Sequence, residues 1–244
     1  MAAVVLEARG LGRRYGAFAA LEGLELQLHA GEVFGLLGPN GAGKSTTLNL
    51  FMGFLRPSSG SATILGHDCT REAHEVARVT GHLPEELTLF ENLTGRETLS
   101  FVLAMRGDTS PARWSAVEAS IERLGLGRDL DQLVAGYSMG TRKKLALVLA
   151  LAHDPQVLLL DEPTNGLDPV VAREVRELLQ TRAREGALVV LSTHLLEVAE
   201  RLCHRLGVLV QGRLRALGTP EEVLRQTGRA TLEEAFLALS GTPP

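Results

Sequence analysis

Apolar residues occur along this chain in short runs that match the length of buried strands. Three runs, at residues 33–37, 157–160 and 188–192, are continuous and do not alternate with polar residues. Continuous runs predict strands covered on both faces, as in a parallel sheet. Segments 4–8 and 24–28 alternate in part, which predicts half-buried strands. The other predicted strands are at 62–66 and 79–83, with a hairpin at 207–215 that turns at Gln211 and Gly212.

The residues between about 93 and 152 have a different character and predict one helix after another. Thr94 and Glu97 have the spacing of a capping box, which marks the start of a helix. Residues 112–124 have helical periodicity, and Gly125 ends it. The strand pattern resumes only after this region, so we expect a helical lobe inserted into an α/β fold.

The last part of the chain returns to alternating strands and helices. Asp168 and Pro169 predict a helix start, with the aspartate as N-cap and the proline at the first helical position. Two short helices are expected after the hairpin. We therefore expect a single domain over residues 1–244, with a core lobe at about 1–92 and 153–244 and the helical lobe at about 93–152.

Composition narrows the class of protein further. The chain has 244 residues, 45% of them hydrophobic and 22% charged, and a net charge of −4. This composition is ordinary for a globular protein, and the absence of a basic block argues against nucleic acid as a partner. Cys69 and Cys203 have no metal-ligand spacing, which favours two reduced thiols.

The sequence predicts neither an export signal nor a membrane span. The first seven residues lack a charged segment followed by a long apolar one, so no export signal is expected. The most apolar region, 145–160, is interrupted by His153, Asp154 and Pro155 and is too short to cross a bilayer. We expect a cytoplasmic chain, or one that lies against a membrane through another protein.

A glycine-rich segment between a predicted strand and a predicted helix carries the clearest chemistry. It has the G-x-x-x-x-G-K-[ST] spacing of a phosphate-binding P-loop and comprises Gly38, Pro39, Asn40, Gly41, Ala42, Gly43, Lys44, Ser45 and Thr46. Its glycines let backbone N–H groups surround a phosphate, and the helix N-terminus adds free donors. We expect Lys44 to reach the β- and γ-phosphates and Ser45 to hold Mg²⁺. The sequence thus predicts binding of a nucleoside triphosphate.

Two carboxylates follow the apolar run at 157–160. An apolar strand that ends in aspartate is common, but here Asp161 and Glu162 come together in a chain that has a P-loop. We expect Asp161 to complete the Mg²⁺ coordination and Glu162 to polarise the water that attacks the γ-phosphate. His194 ends the next apolar run, where an imidazole could contact the γ-phosphate or could simply face solvent.

In this order, the motifs resemble those of the nucleotide-binding subunit of an ATP-binding-cassette (ABC) transporter, over essentially the whole chain. The resemblance rests on Tyr15, the P-loop, a loop near Glu85, the segment 137–141, the residues 157–162, the segment 165–168 and His194. The short signature at 137–141 and the terminal segment 231–236 are most similar to the drug- and polysaccharide-type export branch. The implied fold is that of a P-loop NTPase with a mainly parallel sheet core, an antiparallel β subdomain and an inserted α-helical lobe.

The resemblance also implies roles for residues that the pattern alone does not assign. Tyr15 would stack on the adenine of ATP, and Asp168 would lie at a dimer interface. Ser138, Met139 and Gly140 would belong to the signature motif, which contacts the ATP bound to the other subunit. They would open a helix at 142–152 whose N-terminus faces an anion.

The implied assembly is a head-to-tail dimer that sandwiches two ATP molecules with Mg²⁺. The two subunits would be identical, or this chain would pair with a different ABC ATPase. The dimer would drive a separate polytopic transmembrane permease from the cytoplasmic face of the cell membrane. Glu85 would lie in the loop near the groove that receives the permease.

Two departures from the family pattern and two other functions stay open. The family usually has glutamine where this chain has Glu85, and glycine and glutamine where it has Met139 and Thr141. Ser138 could alternatively be only a helix N-cap. The alternative functions are a soluble ABC-type ATPase that acts on a non-membrane partner, and a small-molecule kinase that uses the same P-loop.

Overall fold

The computed structural model describes residues 3–241, which form two β-sheets with helices packed around them. The strands are β1 (Val4–Tyr15), β2 (Phe18–His29), β3 (Val33–Leu37), β4 (Ser59–Ile64), β5 (His67–Asp68), β6 (Thr80–Leu83), β7 (Val157–Asp161), β8 (Leu188–Thr193), β9 (Arg205–Val210) and β10 (Arg213–Gly218). The helices are α1 (Lys44–Phe51), α2 (Ala73–Val79), α3 (Gly95–Arg106), α4 (Pro111–Arg123), α5 (Met139–Leu151), α6 (Pro169–Arg184), α7 (Leu196–Leu202), α8 (Pro220–Thr227) and α9 (Leu232–Ser240). Residues 1–2 and 242–244, which the single-domain and export-signal predictions include, lie outside the described residues.

The larger sheet has six strands in the order β10-β9-β3-β8-β7-β6. Its pairs are parallel except for the β9–β10 hairpin, which is antiparallel. Every residue of β3, β7 and β8 is buried, as the continuous apolar runs predict. Because the central strands are parallel, their carboxyl ends meet at one edge of the sheet, where the predicted site residues follow them.

Two hydrophobic cores lie on the opposite faces of this sheet. Val33 and Leu37 of β3 belong to one core and Phe34 and Leu36 to the other, because successive side chains of a strand point to opposite faces. The first core also contains buried residues of α3, α4, α5 and α6, and the second contains residues of α1 and of the smaller sheet. The sheet is therefore held in place from both sides.

The smaller sheet is antiparallel and has four strands in the order β2-β1-β4-β5. Strands β1 and β2 have 12 residues each and are longer than the segments 4–8 and 24–28 that the alternation predicts. The β1–β2 register shifts at several places, and Gly10 and Gly23 have positive φ values of 57° and 59°. Bulges of this kind interrupt the alternation, so the pattern predicts only part of each strand.

The chain between β6 and β7 is helical, apart from turns and one isolated bridge between Thr94 and Leu133. Thr94 and Glu97 form the predicted capping box at the start of α3. Helix α5 begins at Met139, three residues before the predicted start, because the Ser138 side chain caps it and accepts from the Thr141 amide. The predicted α/β class, with a mainly parallel core sheet, an antiparallel β subdomain and inserted helices, is confirmed.

Across residues 3–241, no helix combines the length and the apolar character needed to span a bilayer. Cys69 and Cys203 are both buried and free, and burial raises the pKa of each thiol to about 12.

Candidate functional site

The P-loop joins the end of β3 to the start of α1, as its sequence context predicts. Gly43 has φ +104°, and a side chain there would collide with the backbone carbonyl of Ala20. A side chain at Gly38 would likewise collide with the carbonyl of Leu209. The chain therefore needs glycine at both positions for the loop to pass this close to its neighbours.

Helix α1 begins at the P-loop without a side-chain cap. Its first N–H groups are consequently donors that an anionic ligand can use. Lys44 is only 7% exposed, and its ammonium group donates to the carbonyls of Gly38 at 2.7 Å and Pro39 at 3.2 Å. The loop thus holds the lysine chain against its own backbone, beside the free helix end.

Asp161 and Glu162 follow β7 at the same edge of the sheet and are 4% and 5% exposed. The Ser192 hydroxyl at the end of β8 donates to Oδ1 of Asp161. The Glu162 amide donates to both the carbonyl and the hydroxyl oxygen of Ser192, at 3.2 Å each. One residue of the neighbouring strand therefore fixes both carboxylate-bearing residues.

Glu162 has an unusual backbone and a fully engaged carboxylate. Its φ is +47°, a left-handed conformation that is uncommon for residues other than glycine and is enriched at functional sites. Its Oε1 contacts the ring Nδ1 of His194 at 2.7 Å and accepts from the His194 amide at 3.0 Å. Its Oε2 accepts from the Thr193 hydroxyl at 3.3 Å. The sequence pointed to His194 but gave no signal for Ser192 or Thr193.

Lys143 is a second buried lysine near Glu162. It is 7% exposed and donates to the carbonyl oxygens of Glu162 at 2.5 Å and Asn165 at 2.7 Å. Burial lowers the pKa of Lys143, against the opposing effect of the nearby carboxylates. Sequence reasoning missed this residue, because its partners lie 19 and 22 positions away in the chain.

A cleft of about 420 Å³ connects these groups to the aromatic residue at the end of β1. Tyr15 is 45% exposed, and the Arg13 guanidinium lies 4.6 Å above its ring centroid, a favourable cation–π contact. The cleft is lined by Tyr15, Phe18, Ala20, Asn40, Gly41, Gly43, Lys44, Ser45, Thr46, Glu85, Asp161 and Glu162. It therefore offers an aromatic face at one end and helix donors, a lysine, a hydroxyl and carboxylates at the other.

The predicted signature and interface residues lie outside this cleft. Ser138 caps α5, and Met139 is 76% exposed. A Cβ atom at Gly140 would come into ordinary van der Waals contact with the Gly166 carbonyl. Asp168 is exposed and caps α6, where its carboxylate accepts from the amides of Val170 and Val171 at 3.0 Å each.

A second cavity of about 570 Å³ adjoins the start of α5 and the cleft described above, which we call the P-loop cleft. It is lined by Glu85, Glu86, Leu87, Met139, Arg142, Lys143, Glu162, Asn165 and Gly166. Glu85 and Glu162 line both cavities, so they form the boundary between the P-loop side and the α5 side.

Comparison with known families gives one match that covers more than half of the chain. The family model described as "ABC transporter" matches residues 21–165, a range that includes the P-loop, α5 and the Asp161–Glu162 pair. The match thus covers the P-loop and both carboxylates that line the cleft.

Curated relatives are similar over most of this chain but are themselves longer. The "Probable multidrug ABC transporter ATP-binding protein YbhF" of Escherichia coli K12 is 35% identical over 240 residues, which is 96% of this chain and 41% of that protein. The human "Phospholipid-transporting ATPase ABCA7" is 39% identical over 221 residues, which is 90% of this chain and 10% of that protein. The chain thus spans about two fifths of the bacterial relative and about a tenth of the human one.

Solved structures agree with the fold described above. A structure of an ATP-binding subunit of an ABC transporter has 33% sequence identity and a TM-score of 0.91, with 97% of this chain and 99% of that chain aligned. A nucleotide-free ATP-binding cassette from an ABC transporter, at 22% identity, has a TM-score of 0.80 over 96% of this chain and 99% of that chain. At that lower identity, the second match supports the fold alone.

Proposed function

The chain belongs to the ABC transporter family, and on this premise we propose that it is the ATP-binding and ATP-hydrolysing motor subunit of a membrane exporter. The observation that carries the proposal is the meeting of the P-loop with Glu162 in one cleft, with the Glu162 carboxylate held by His194 and Thr193. The names of two relatives, one multidrug and one phospholipid-transporting, support export as the direction.

In this proposal the cleft binds ATP along its length. The Tyr15 ring stacks on the adenine through the face opposite to the one that Arg13 covers. The phosphates lie against the free N–H groups of α1, and Lys44 turns from its carbonyl partners to the β- and γ-phosphates. Glu162 then accepts a proton from the attacking water, and His194 and Thr193 hold its carboxylate in place.

The donors in the cleft also fit Mg²⁺. The Ser45 hydroxyl and the Asp161 carboxylate line the same cleft as Lys44, and hard oxygen ligands of this type, with phosphate oxygens and water, are what Mg²⁺ prefers. Residues 3–241 contain no cluster of three His, Cys, Asp or Glu side chains that would form an all-protein cage. When bound, Mg²⁺ would neutralise developing charge on the phosphates. Ser192 holds the Asp161 carboxylate through its hydroxyl hydrogen bond.

We further propose that two cassettes associate head to tail around two ATP molecules. Ser138, Met139 and Gly140 would face the ATP of the partner, with the N-terminus of α5 directed at its phosphates. Asp168 would lie at the same interface. The partner is an identical chain or another ABC ATPase, and both act from the cytoplasmic side on a separate polytopic transmembrane subunit.

The proposal is tested by isolating the chain from gently solubilised native membranes. The Glu162→Gln variant with ATP and Mg²⁺ should keep the dimer closed and co-purify a polytopic membrane protein in stoichiometric amount. The Lys44→Ala variant, which should bind ATP much more weakly, serves at the same ATP concentration as the matched control that does not close. If only soluble proteins co-purify and the chain is absent from the membrane fraction, the exporter proposal is wrong and the soluble ATPase replaces it.

Hydrolysis itself needs a separate measurement. ADP release by the parent chain, alone and with its co-purified partner, should occur without any acceptor molecule. If ADP appears only when a phosphate acceptor is added, the chain is a kinase and the motor proposal fails.

A further inference from the structure

Lys143 is buried at a place where the packing alone does not need a charge. Its ammonium group contacts two carbonyl oxygens, and no ion pair among residues 3–241 includes it. Taking an ammonium out of water is unfavourable unless its hydrogen bonds are satisfied. An apolar residue of similar length would fill the same space without that cost. Packing alone therefore does not account for the lysine, and its two hydrogen bonds point to a structural role for the ammonium group.

Both hydrogen bonds are made to the turn that carries Glu162. The Glu162 carbonyl accepts from Lys143 Nζ and also from the Asn165 amide at 3.2 Å. The Glu162 amide is held from the other side by Ser192. Ser192 therefore fixes the peptide group before Glu162, and Lys143 fixes the peptide group after it. Together they hold Glu162 in a left-handed conformation that it would seldom adopt unaided.

The same contacts connect this turn to α5. Lys143 lies in the first half of α5, and Ser138 caps the start of that helix. A shift of α5 would thus pull directly on the Glu162 carbonyl. The lysine lines the cavity that shares Glu85 and Glu162 with the P-loop cleft, which places the connection at the boundary between the two cavities.

We propose that Lys143 is a positioning residue that fixes the Glu162 backbone and couples the carboxylate to the N-terminal end of α5. This inference rests on the proposed role of Glu162 in hydrolysis. Lys143 acts through Glu162 and does not touch the nucleotide, so its loss lowers the rate of hydrolysis and leaves nucleotide binding in the P-loop cleft intact.

The test compares Lys143→Met with Lys144→Met. Both variants remove one ammonium group from the same helix, but no hydrogen bond within residues 3–241 involves the Lys144 ammonium. For Lys143→Met, we expect kcat to fall about tenfold to a hundredfold, because a small displacement of a catalytic group is costly. KM and the dissociation constant of a fluorescent ATP analogue should stay within about threefold of the parent. Lys144→Met should match the parent in all three measurements.

Hydrogen exchange gives a readout that does not depend on activity. In Lys143→Met, the amides of residues 162–168 should exchange faster than in the parent, while those of α1 keep their rates. Lys144→Met should exchange like the parent in both segments. This measurement remains informative if the parent hydrolyses no ATP, a result that would overturn the proposed function but not the link between Lys143 and the turn.

Three outcomes would overturn the inference. One is a kcat for Lys143→Met within about twofold of the parent. Another is unchanged exchange at residues 162–168. The third is a parallel loss of nucleotide affinity, faster exchange throughout the chain and a lower melting temperature, which would show that Lys143 is needed only for folding.

Discussion

The ring Nδ1 of His194 lies 2.7 Å from Oε1 of Glu162, and the His194 amide donates to the same oxygen at 3.0 Å. For the ring to donate as well, its Nδ1 must carry the proton, and the carboxylate is then held by two donors of one residue. This arrangement orients Glu162 and leaves it able to accept a proton from water. Neither contact involves the P-loop, so the groups that orient Glu162 are separate from those expected to bind the phosphates.

Replacement of Glu162 by glutamine should therefore stop turnover while ATP still binds. Glutamine keeps the shape of the side chain but removes the basic carboxylate, so we expect kcat to fall by about 100- to 10,000-fold. The dissociation constant for ATP should change by less than about threefold. Glu118→Gln, at an exposed position of α4, is the matched control and should have parent activity. Near-parent hydrolysis by Glu162→Gln would show that another group accepts the proton.

Replacement of Lys44 by alanine should have the opposite pattern and weaken ATP binding. The Lys44 ammonium lies in the P-loop cleft at 2.7 Å from the Gly38 carbonyl, where a charge-assisted bond to phosphate is worth about 1.5–3 kcal/mol. The dissociation constant for ATP should accordingly rise by about 10- to 150-fold in a nucleotide titration. Lys144→Ala should bind ATP like the parent. Parent-like affinity in a folded Lys44→Ala protein would exclude this lysine as the phosphate ligand.

The ring of Tyr15 should contribute to affinity through its face and not through its hydroxyl group. Stacking of a base on an aromatic side chain is worth about 1–3 kcal/mol, so Tyr15→Ala should raise the dissociation constant for ATP by about 5- to 150-fold. Tyr15→Phe keeps the ring and the Arg13 contact and should bind nearly as well as the parent. A weak effect of Tyr15→Ala would shift the base-binding role to Phe18, the other aromatic residue that lines the cleft.

Asp161 should affect the requirement for Mg²⁺ more than the affinity for free ATP. Asparagine can still accept from the Ser192 hydroxyl, so Asp161→Asn should fold, but the site loses one negative charge toward the metal. We expect the Mg²⁺ concentration for half-maximal hydrolysis to rise by about tenfold or more. ATP affinity measured in the presence of a chelator should match that of the parent. An unchanged Mg²⁺ dependence would mean that this carboxylate does not serve the metal.

The sequence could predict the parts of the fold whose signals are local. The continuous apolar runs of β3, β7 and β8 and the P-loop glycines each act within a few residues, and the structure has these elements where the pattern puts them. Helix α2 could not be predicted in this way, because it has only seven residues and buries only Val76, which is too short a segment to show a helical stripe of buried positions.

The contacts that orient the candidate site were outside the reach of the pattern. Ser192 and Lys143 hold Glu162 from elements that lie 30 and 19 positions away, and a serine or lysine has no periodic signal. His194 was found only because it follows a strand that ends at the same edge of the sheet. Its role, like those of Tyr15, Ser138 and Asp168, stays a prediction that the experiments above can test.

His153 should make the protein less stable in mild acid. Its ring is largely buried and its Nε2 donates to the Thr80 carbonyl at 3.1 Å, while Nδ1 is buried without a partner among the described residues. Burial, together with the nearby Arg106 charge, lowers the pKa of His153 from 6.5 to about 4. Between these two pH values the unfolded chain binds a proton that the folded chain does not, so stability falls as the pH drops.

Glutamine at position 153 cannot take up that proton and should make the acid loss smaller. With allowance for the partial exposure of the ring, His153→Gln should lose about 1 kcal/mol less unfolding free energy than the parent between pH 7 and pH 5. The comparison uses the slope of stability against pH, so any cost of the substitution at neutral pH cancels. His74→Gln, at an exposed position, should keep the parent slope. Parallel denaturation curves for His153→Gln and the parent across this range would show that His153 is not the group whose protonation destabilises the fold.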